Sequence, residues 1–418
     1  MHYELCIMHY ELRIMHYELC IEKMMKKNLI ALALGTFGLG ISEFVMMGIL
    51  PYMAADFNVG IAEAGHLISA YALGVCVGAP AVALFARTWR LRNILYLLMG
   101  IYSASAALMA VCPLPEDGSR WQFYLAMTAR FLQGTPHGAY FGVGSIVCDR
   151  MSKDGKAAFA IAIMCSGMTF ANLIGNPLCT FITSTLSWRY VFCFTTVWGL
   201  ATLFCISRWI PDLDALPDHG VKGEFRFMKH LAPWLVFGCT LFGNSSVFCW
   251  YSYISPTMTD LALVPESMMT FIMILAGAGM VLGNFLGGKL SDKFGPGHTG
   301  RGIVIVLFVS MLTTFFFAHI AWVAIPLMVV NVACLFAVSS PQQILFVRHS
   351  KGGELMGGAM VQIAFNFGNA IGAWAGGLPI VESEPTSYHY PALIGAGIVV
   401  LSITCYTWFC RRYEREAN

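Results

Sequence analysis

From Leu29 to Cys410 the chain keeps returning to apolar stretches of about twenty residues. No other feature narrows the fold as much. A helix rises about 1.5 Å per residue, so roughly twenty apolar residues cross the ~30 Å hydrocarbon layer of a bilayer. Lipid offers no partner to backbone N–H and C=O groups, so these crossings must be helices. Twelve stretches qualify, near 29–53, 62–86, 91–112, 121–148, 157–184, 190–210, 233–255, 267–289, 301–320, 322–347, 355–380 and 391–410. The expected fold is an all-α membrane protein with twelve transmembrane helices. Charged residues are 11% of the chain, against about 25% in an average soluble domain, and mean hydropathy is +0.67. The net charge of +2 says little about partners, and no nucleic-acid partner is expected.

Lys and Arg set the orientation, because they concentrate on the cytoplasmic side. With the N-terminus inside, only Arg120 and Arg189 fall in external loops, Arg130 lies within a span, and twenty-one of the 25 basic residues fall in cytoplasmic loops or tails. The external loops carry acids instead: Asp56, Glu63, Glu116, Asp117, Asp260, Glu266, Glu382 and Glu384. Both termini are therefore expected in the cytoplasm. The longest polar break, residues 211–232, separates an N-terminal six-helix half (25–210) from a C-terminal one (233–418). FANLIG at 170–175 and FGNAIG at 367–372 each begin 15 residues after a loop glycine, Gly155 and Gly352. This aligns Asn172 with Asn369 and Gly175 with Gly372, as a parallel repeat would, and such repeats are a transporter architecture with the site at their interface. Gly-xxx-Gly runs such as Gly283–Gly287 suit close helix contact.

Residues 1–24 do not read as part of this fold. They repeat one heptad three times, as MHYELCI, MHYELRI and MHYELCI. The segment is too short for a stable coiled coil. His2, His9 and His16 would share a helix face, but a tandem repeat ahead of a start at Met24 or Met25 is the plainer reading. No cleavable signal peptide follows. The 14 cysteines are scattered singly and form no CxxC or CxxH pair, so they read as small hydrophobes, with no metal site and no disulfide frame. No GxxxxGK[ST] loop is present, which argues against ATP as the energy source.

Several motifs, in order, resemble the major facilitator superfamily, and within it the twelve-span drug/proton antiporter group and its arabinose-efflux-like (AraJ-type) branch. GTFGLGISEFVMMGILP at 35–51 is similar to that branch's first helix. RFLQGTPHGAYFGVG at 130–144 resembles the fourth-helix signature, with Gln133 and Gly134. SGMTFANLIGNPL at 166–178 resembles the fifth-helix antiporter motif, with Gly175 and Pro177. GGKLSDKFG at 287–295 resembles the cytoplasmic loop signature, with Gly288, Asp292, Lys293 and Gly295 as its gating residues. The first-half copy of that loop departs from the family, placing Arg87 and Thr88 where Asp and Arg are the rule. The resemblance implies alternating access between two halves, with spans one, four, seven and ten around a central cavity.

Glu43 stands out against its surroundings. A carboxylate at hydrocarbon depth costs about 2.5–3.5 kcal/mol on insertion scales, so it must face protein or water, find a partner, or take up a proton. Counting residues from the outer ends of their spans puts Glu43 and Arg130 at about the same depth, roughly 15 Å in. We expect them to form the proton-coupling pair, making and breaking contact as the cavity opens to either side. A static pair that only orients two helices is the alternative. Candidates for lining a substrate cavity are Tyr71, His137, Asn172, Asn244, Gln342, Gln343, Gln362, Asn366 and Asn369. Gln362, Asn366 and Asn369 are spaced i, i+4, i+7 and share one helix face. His137 follows Pro136, which loosens the helix. Trp250, Tyr251, Phe141 and Trp374 could add an apolar wall.

The expected function is export of a small organic solute, such as a sugar or drug, across the cytoplasmic (inner) membrane of a bacterium in exchange for protons. The chain is expected to act as a monomer in the lipid bilayer, without a cofactor. A symporter or uniporter of the same fold and a non-transporting receptor are the alternatives. No nucleophile–base set points to an enzyme.

Overall fold

The computed structural model describes residues 27–86, 88–115, 119–151, 157–215, 226–349, 354–381 and 383–414. The heptad segment, Arg87, Glu116, Asp117, Gly155, part of the 211–232 break, Gly352 and Glu382 lie outside the described residues, as does the side chain of Asp292. Among the described residues every regular element is helical and none is a strand.

In chain order the main helices are α1 (Lys27–Phe44), α2 (Met46–Phe57), α3 (Ile61–Ala64), α4 (His66–Phe85), α5 (Leu91–Ala110), α6 (Trp121–Met151), α7 (Ala157–Phe170), α8 (Asn176–Thr185) and α9 (Trp188–Trp209). They continue with α10 (Leu231–Tyr251), α11 (Met269–Phe294), α12 (Pro296–Phe317), α13 (Ala321–Ala337), α14 (Ser339–His349), α15 (Glu354–Gly377) and α16 (Tyr390–Tyr413). Among the described residues, eight helical segments are long and apolar enough to cross a membrane, and a ninth joins them if α1 and α2, bent by 53°, count as one. Helices occupy the other three expected crossings too, but they carry the polar cargo or a break. Helix α6 holds Arg130, Gln133 and His137, and α15 holds Gln362, Asn366 and Asn369. A five-residue π-helical segment, Ala171–Gly175, separates α7 from α8.

The bend between α1 and α2 falls at Val45, two residues after Glu43. Pro51 has no N–H for the carbonyl of Met47, and Gly48 lowers the local helix preference, so the start of α2 is weakly held.

Helix pairing repeats along the chain. Helix α4 packs on α6, and α11 on α13; α5 packs on α9, and α12 on α16. Two further pairings join the first half of the chain to the second: α4 lies along α15, and the π segment with α8 lies along α11. Ser69 Oγ donates to the Ala370 carbonyl at 3.1 Å and Cys76 Sγ to that of Ile363 at 3.4 Å along the first of these seams. The close approaches need glycine. A Cβ on Gly283 or Gly287 would sit 2.0 Å from the carbonyl oxygen of Ala333 or Ala337, which explains the Gly-xxx-Gly spacing read in the sequence. Outside, large apolar side chains such as Phe204, Phe285, Val309 and Phe316 stay exposed, as a surface solvated by hydrocarbon requires.

Candidate functional site

Glu43 lies at the end of α1, only 3% exposed. Its Oε1 accepts a hydrogen bond from Asn369 Nδ2 of α15 at 3.3 Å, across the seam between the two halves of the chain. Its Oε2 lies 3.6 Å from His137 Nε2 of α6. The other ring nitrogen, Nδ1, is 2.9 Å from Tyr71 Oη, and the imidazole stacks on Phe141 with centroids 5.2 Å apart. Tyr71 Oη also reaches the Leu39 carbonyl at 3.3 Å. Four of the sequence candidates, Glu43, Tyr71, His137 and Asn369, therefore meet at one point.

Arg130 is fully buried but does not touch Glu43. Its Nη1 donates to Gln133 Oε1 at 2.7 Å, one turn along α6, and its Nε to the Leu67 carbonyl at 3.4 Å. The guanidinium lies over the Tyr71 ring, 4.5 Å from the centroid. Equal depth was the sequence argument for a direct pair. Depth counts only the rise along each helix, and rotation about the helix axes turns Arg130 toward α4 in this conformation. Tyr71 and His137 stand between the two charges, so Arg130 and Glu43 are joined through an intermediate pair of side chains.

A second branch leaves Arg130. Gln133 Nε2 donates to Ser42 Oγ at 3.1 Å, Ser42 Oγ is 3.0 Å from Tyr102 Oη, and that hydroxyl donates to the Gly38 carbonyl at 2.7 Å. Sequence reasoning missed Ser42 and Tyr102. Ser42 adjoins Glu43 in the chain, which could have flagged it; Tyr102 carried no signal within an ordinary apolar span. The Gln133–Gly134 signature also gains a physical reason. Gln133 bridges Arg130 to α1, and a Cβ on Gly134 would lie 2.0 Å from the Tyr71 carbonyl oxygen.

The remaining candidates divide. Asn244 and Asn366 are fully buried and Gln342 nearly so. Neither amide atom of Asn244 has a protein partner, nor do Gln342 Nε2, Asn366 Oδ1 and Asn369 Oδ1. Asn366 Nδ2 donates to the Gln362 carbonyl at 3.1 Å, and the Cβ of half-buried Gln362 would lie 3.6 Å from a Cβ on Gly138. The trio on α15 thus turns its shared face toward the first half of the chain. Gln343 is exposed. Asn172, in the π segment, accepts from Asn176 Nδ2 at 2.9 Å and stays with its own helix. Trp250 and Tyr251 are buried, whereas Trp374 is exposed.

Among the gating candidates, Gly175 packs on α1, where a Cβ would meet Ile41 Cγ1 at 2.7 Å, and Pro177 is buried in the first turn of α8. Gly288 is half-buried near the end of α11. Lys293 lies 5.1 Å from the Phe294 ring centroid. Gly295 ends α11 with φ +82°, a backbone state that other residues rarely adopt. Among the described residues one group of donors could hold a metal: His298, Cys410 and Glu414 have ligand atoms within 4.8 Å of one another. Glu414 is already occupied there, accepting from the Gly297 N–H at 2.6 Å and lying 2.6 Å from His298 Nδ1.

The family model of the Major Facilitator Superfamily matches residues 32–360. AraJ of Escherichia coli (strain K12) is 39% identical over 392 residues, covering 94% of this chain and 97% of that protein. The inner membrane transport protein YdhP of the same strain is 35% identical over 381 residues, covering 91% and 95%. A solved bacterial homologue of the human lysosomal transporter Spinster, inward-facing and unoccupied, superposes with TM-score 0.73 at 15% identity, over 94% of this chain and 98% of that one. These relatives are transporters by fold and description, so the chain is a multi-pass membrane protein and not an enzyme.

Proposed function

Because the chain belongs to the major facilitator superfamily, we propose that it exports a small organic solute, such as a sugar or drug, across the cytoplasmic membrane in exchange for protons. Two six-helix halves, 25–210 and 233–418, rock about a midplane site, with the 211–232 linker and both termini in the cytoplasm. Glu43 carries the proton. The observation behind this reading is a buried carboxylate that accepts a hydrogen bond from Asn369 of the second half and lies 3.6 Å from His137 of the first. When the halves separate, Glu43 loses Asn369 and meets water; when they close, it is desolvated again. A carboxyl whose surroundings alternate in this way takes up and releases a proton with each cycle. Arg130 sets the field around it through Tyr71 and His137. The open amide atoms, both of Asn244 with Gln342 Nε2 and Asn366 Oδ1, supply donors and acceptors for the solute's polar groups. Export rather than uptake rests on the resemblance of 166–178 to the fifth-helix antiporter motif.

The test is flux in proteoliposomes with an acidic lumen, using a panel of radiolabelled sugars and drugs. At least one solute is expected to accumulate above equilibrium, and a protonophore should abolish the effect. Glu43→Gln should allow only passive equilibration. Uphill accumulation by that variant would overturn the role of Glu43. Accumulation only when the gradient is reversed would make the protein a symporter.

A further inference from the structure

Away from the midplane, three elements converge at the basic end of the molecule. They are the 3-10 turn Arg226–Lys229 leading into α10, the end of α14 with Arg348 and His349, and the end of α16 with Arg412 and Tyr413. Between them lies a cavity of about 570 Å³. Its rim carries Arg226, Lys229, Arg348 and Arg412, and its floor includes the buried Phe227.

We propose that this cavity holds the phosphate of an anionic phospholipid headgroup. None of the four rim cations forms an ion pair among the described residues, unlike Arg90 with Asp212 or Arg120 with Glu63. Glu414, the neighbouring acid on the chain, is held by the Gly297 N–H and His298 and does not neutralise them. Four cations gathered around one concavity, without a counter-charge among the described residues, create a local potential that draws anions. The apolar surroundings point to lipid over a soluble phosphate. Leu231 and Trp234, in the first turn of α10, are exposed, and the Trp234 indole N–H donates to the Met228 carbonyl at 2.7 Å. An exposed tryptophan at the end of a membrane helix sits at headgroup level, and basic pockets between helix ends suit lipid phosphates. The proposal is independent of the transport reading, because it concerns a different face and a static ligand.

The test titrates the purified full chain in maltoside micelles with dioctanoyl phosphatidylglycerol, dioctanoyl phosphatidylcholine, glycerol 3-phosphate and inorganic phosphate, following thermal stabilisation. Phosphatidylglycerol should raise the unfolding temperature, and its apparent affinity should fall on the order of a hundredfold in the triple variant R226Q/R348Q/R412Q. If the triple variant does not fold, R226Q and R412Q tested singly should each weaken binding about fivefold. Undiminished stabilisation in these variants, or equal stabilisation by phosphatidylcholine, overturns the site. Inorganic phosphate or glycerol 3-phosphate binding as tightly as phosphatidylglycerol overturns the lipid and assigns the cavity to a soluble phosphate.

Discussion

The two halves of the chain pack their helices in the same pairs, yet they fill their centres differently. The first half buries ionisable groups, Glu43, Arg130 and His137, together with amides such as Gln133, Asn172 and Asn176. The second half buries amides: Asn244, Gln342, Asn366 and Asn369. Arg130 is held by Gln133, the Leu67 carbonyl and the Tyr71 ring, and Glu43, Arg130 and His137 each keep one polar atom without a hydrogen bond. Asn244 has neither amide atom partnered. A buried charge without compensation costs several kcal/mol, whereas an unpaired amide costs about 1–3. The first half therefore has to fix its groups in a network, and the second can leave its donors and acceptors open. The aligned asparagines show the same asymmetry: Asn172 bonds within its own helix, while Asn369 reaches across to Glu43.

That contrast is sharpest at Arg130. Arg130→Leu strips the donor from Gln133 and from the Leu67 carbonyl, so a loss of roughly 3 kcal/mol or more is expected. Gln342→Leu, whose Nε2 has no partner, should change stability by less than about 1 kcal/mol. Thermal unfolding of the two purified variants measures the difference; equal losses would break the comparison. Next in size, Asn369→Leu should slow gradient-driven transport about tenfold, and Asn172→Leu should leave it within about twofold, corresponding to the loss or retention of about one hydrogen bond to a charged group. Initial rates in proteoliposomes decide this.

The backbone predicts likeness instead. A Cβ would fall 2.0 Å from the Tyr71 carbonyl at Gly134 and 1.9 Å from that of Cys249 at Gly376. Gly134→Ala and Gly376→Ala should therefore both destabilise by about 1–3 kcal/mol, whereas Gly100→Ala, with nothing within 4 Å, should stay within about 1 kcal/mol of wild type. Chemical unfolding midpoints for the three variants test this. The smallest effect belongs to the surface. Arg90 and Asp212 form an exposed pair at the basic end, and Asp212→Asn should cost less than about 1 kcal/mol, a difference that vanishes at high salt.

Much of the fold was legible because hydrocarbon imposes a simple rule. An apolar run of sufficient length becomes a helix, and among the described residues eight helices, or nine with the bent α1–α2 pair, are long and apolar enough to cross a membrane. Legibility weakened where function intrudes: the bend at Val45 and the π segment at Ala171–Gly175 leave little trace in hydropathy. In the site, Glu43 and Arg130 announced themselves as charges in oil. Tyr71, His137, Gln133 and Asn369 were legible as polar residues at depth, but not that they would be the neighbours of those charges. Which groups meet depends on the rotation of α1, α6 and α15 about their axes, and on a tyrosine and a serine that look ordinary in the chain.

Sequence alone settled which residues face the problem of polarity within a membrane, since the cost of burying a carboxylate or guanidinium is a property of the group and its depth. Tertiary structure decided how that problem is solved. It turned Arg130 toward Gln133 and Tyr71, and brought Asn369, 326 residues away in the chain, to the Glu43 carboxylate. Packing geometry made those choices, because a hydrogen bond needs angle and distance, and neither is written in the order of the residues.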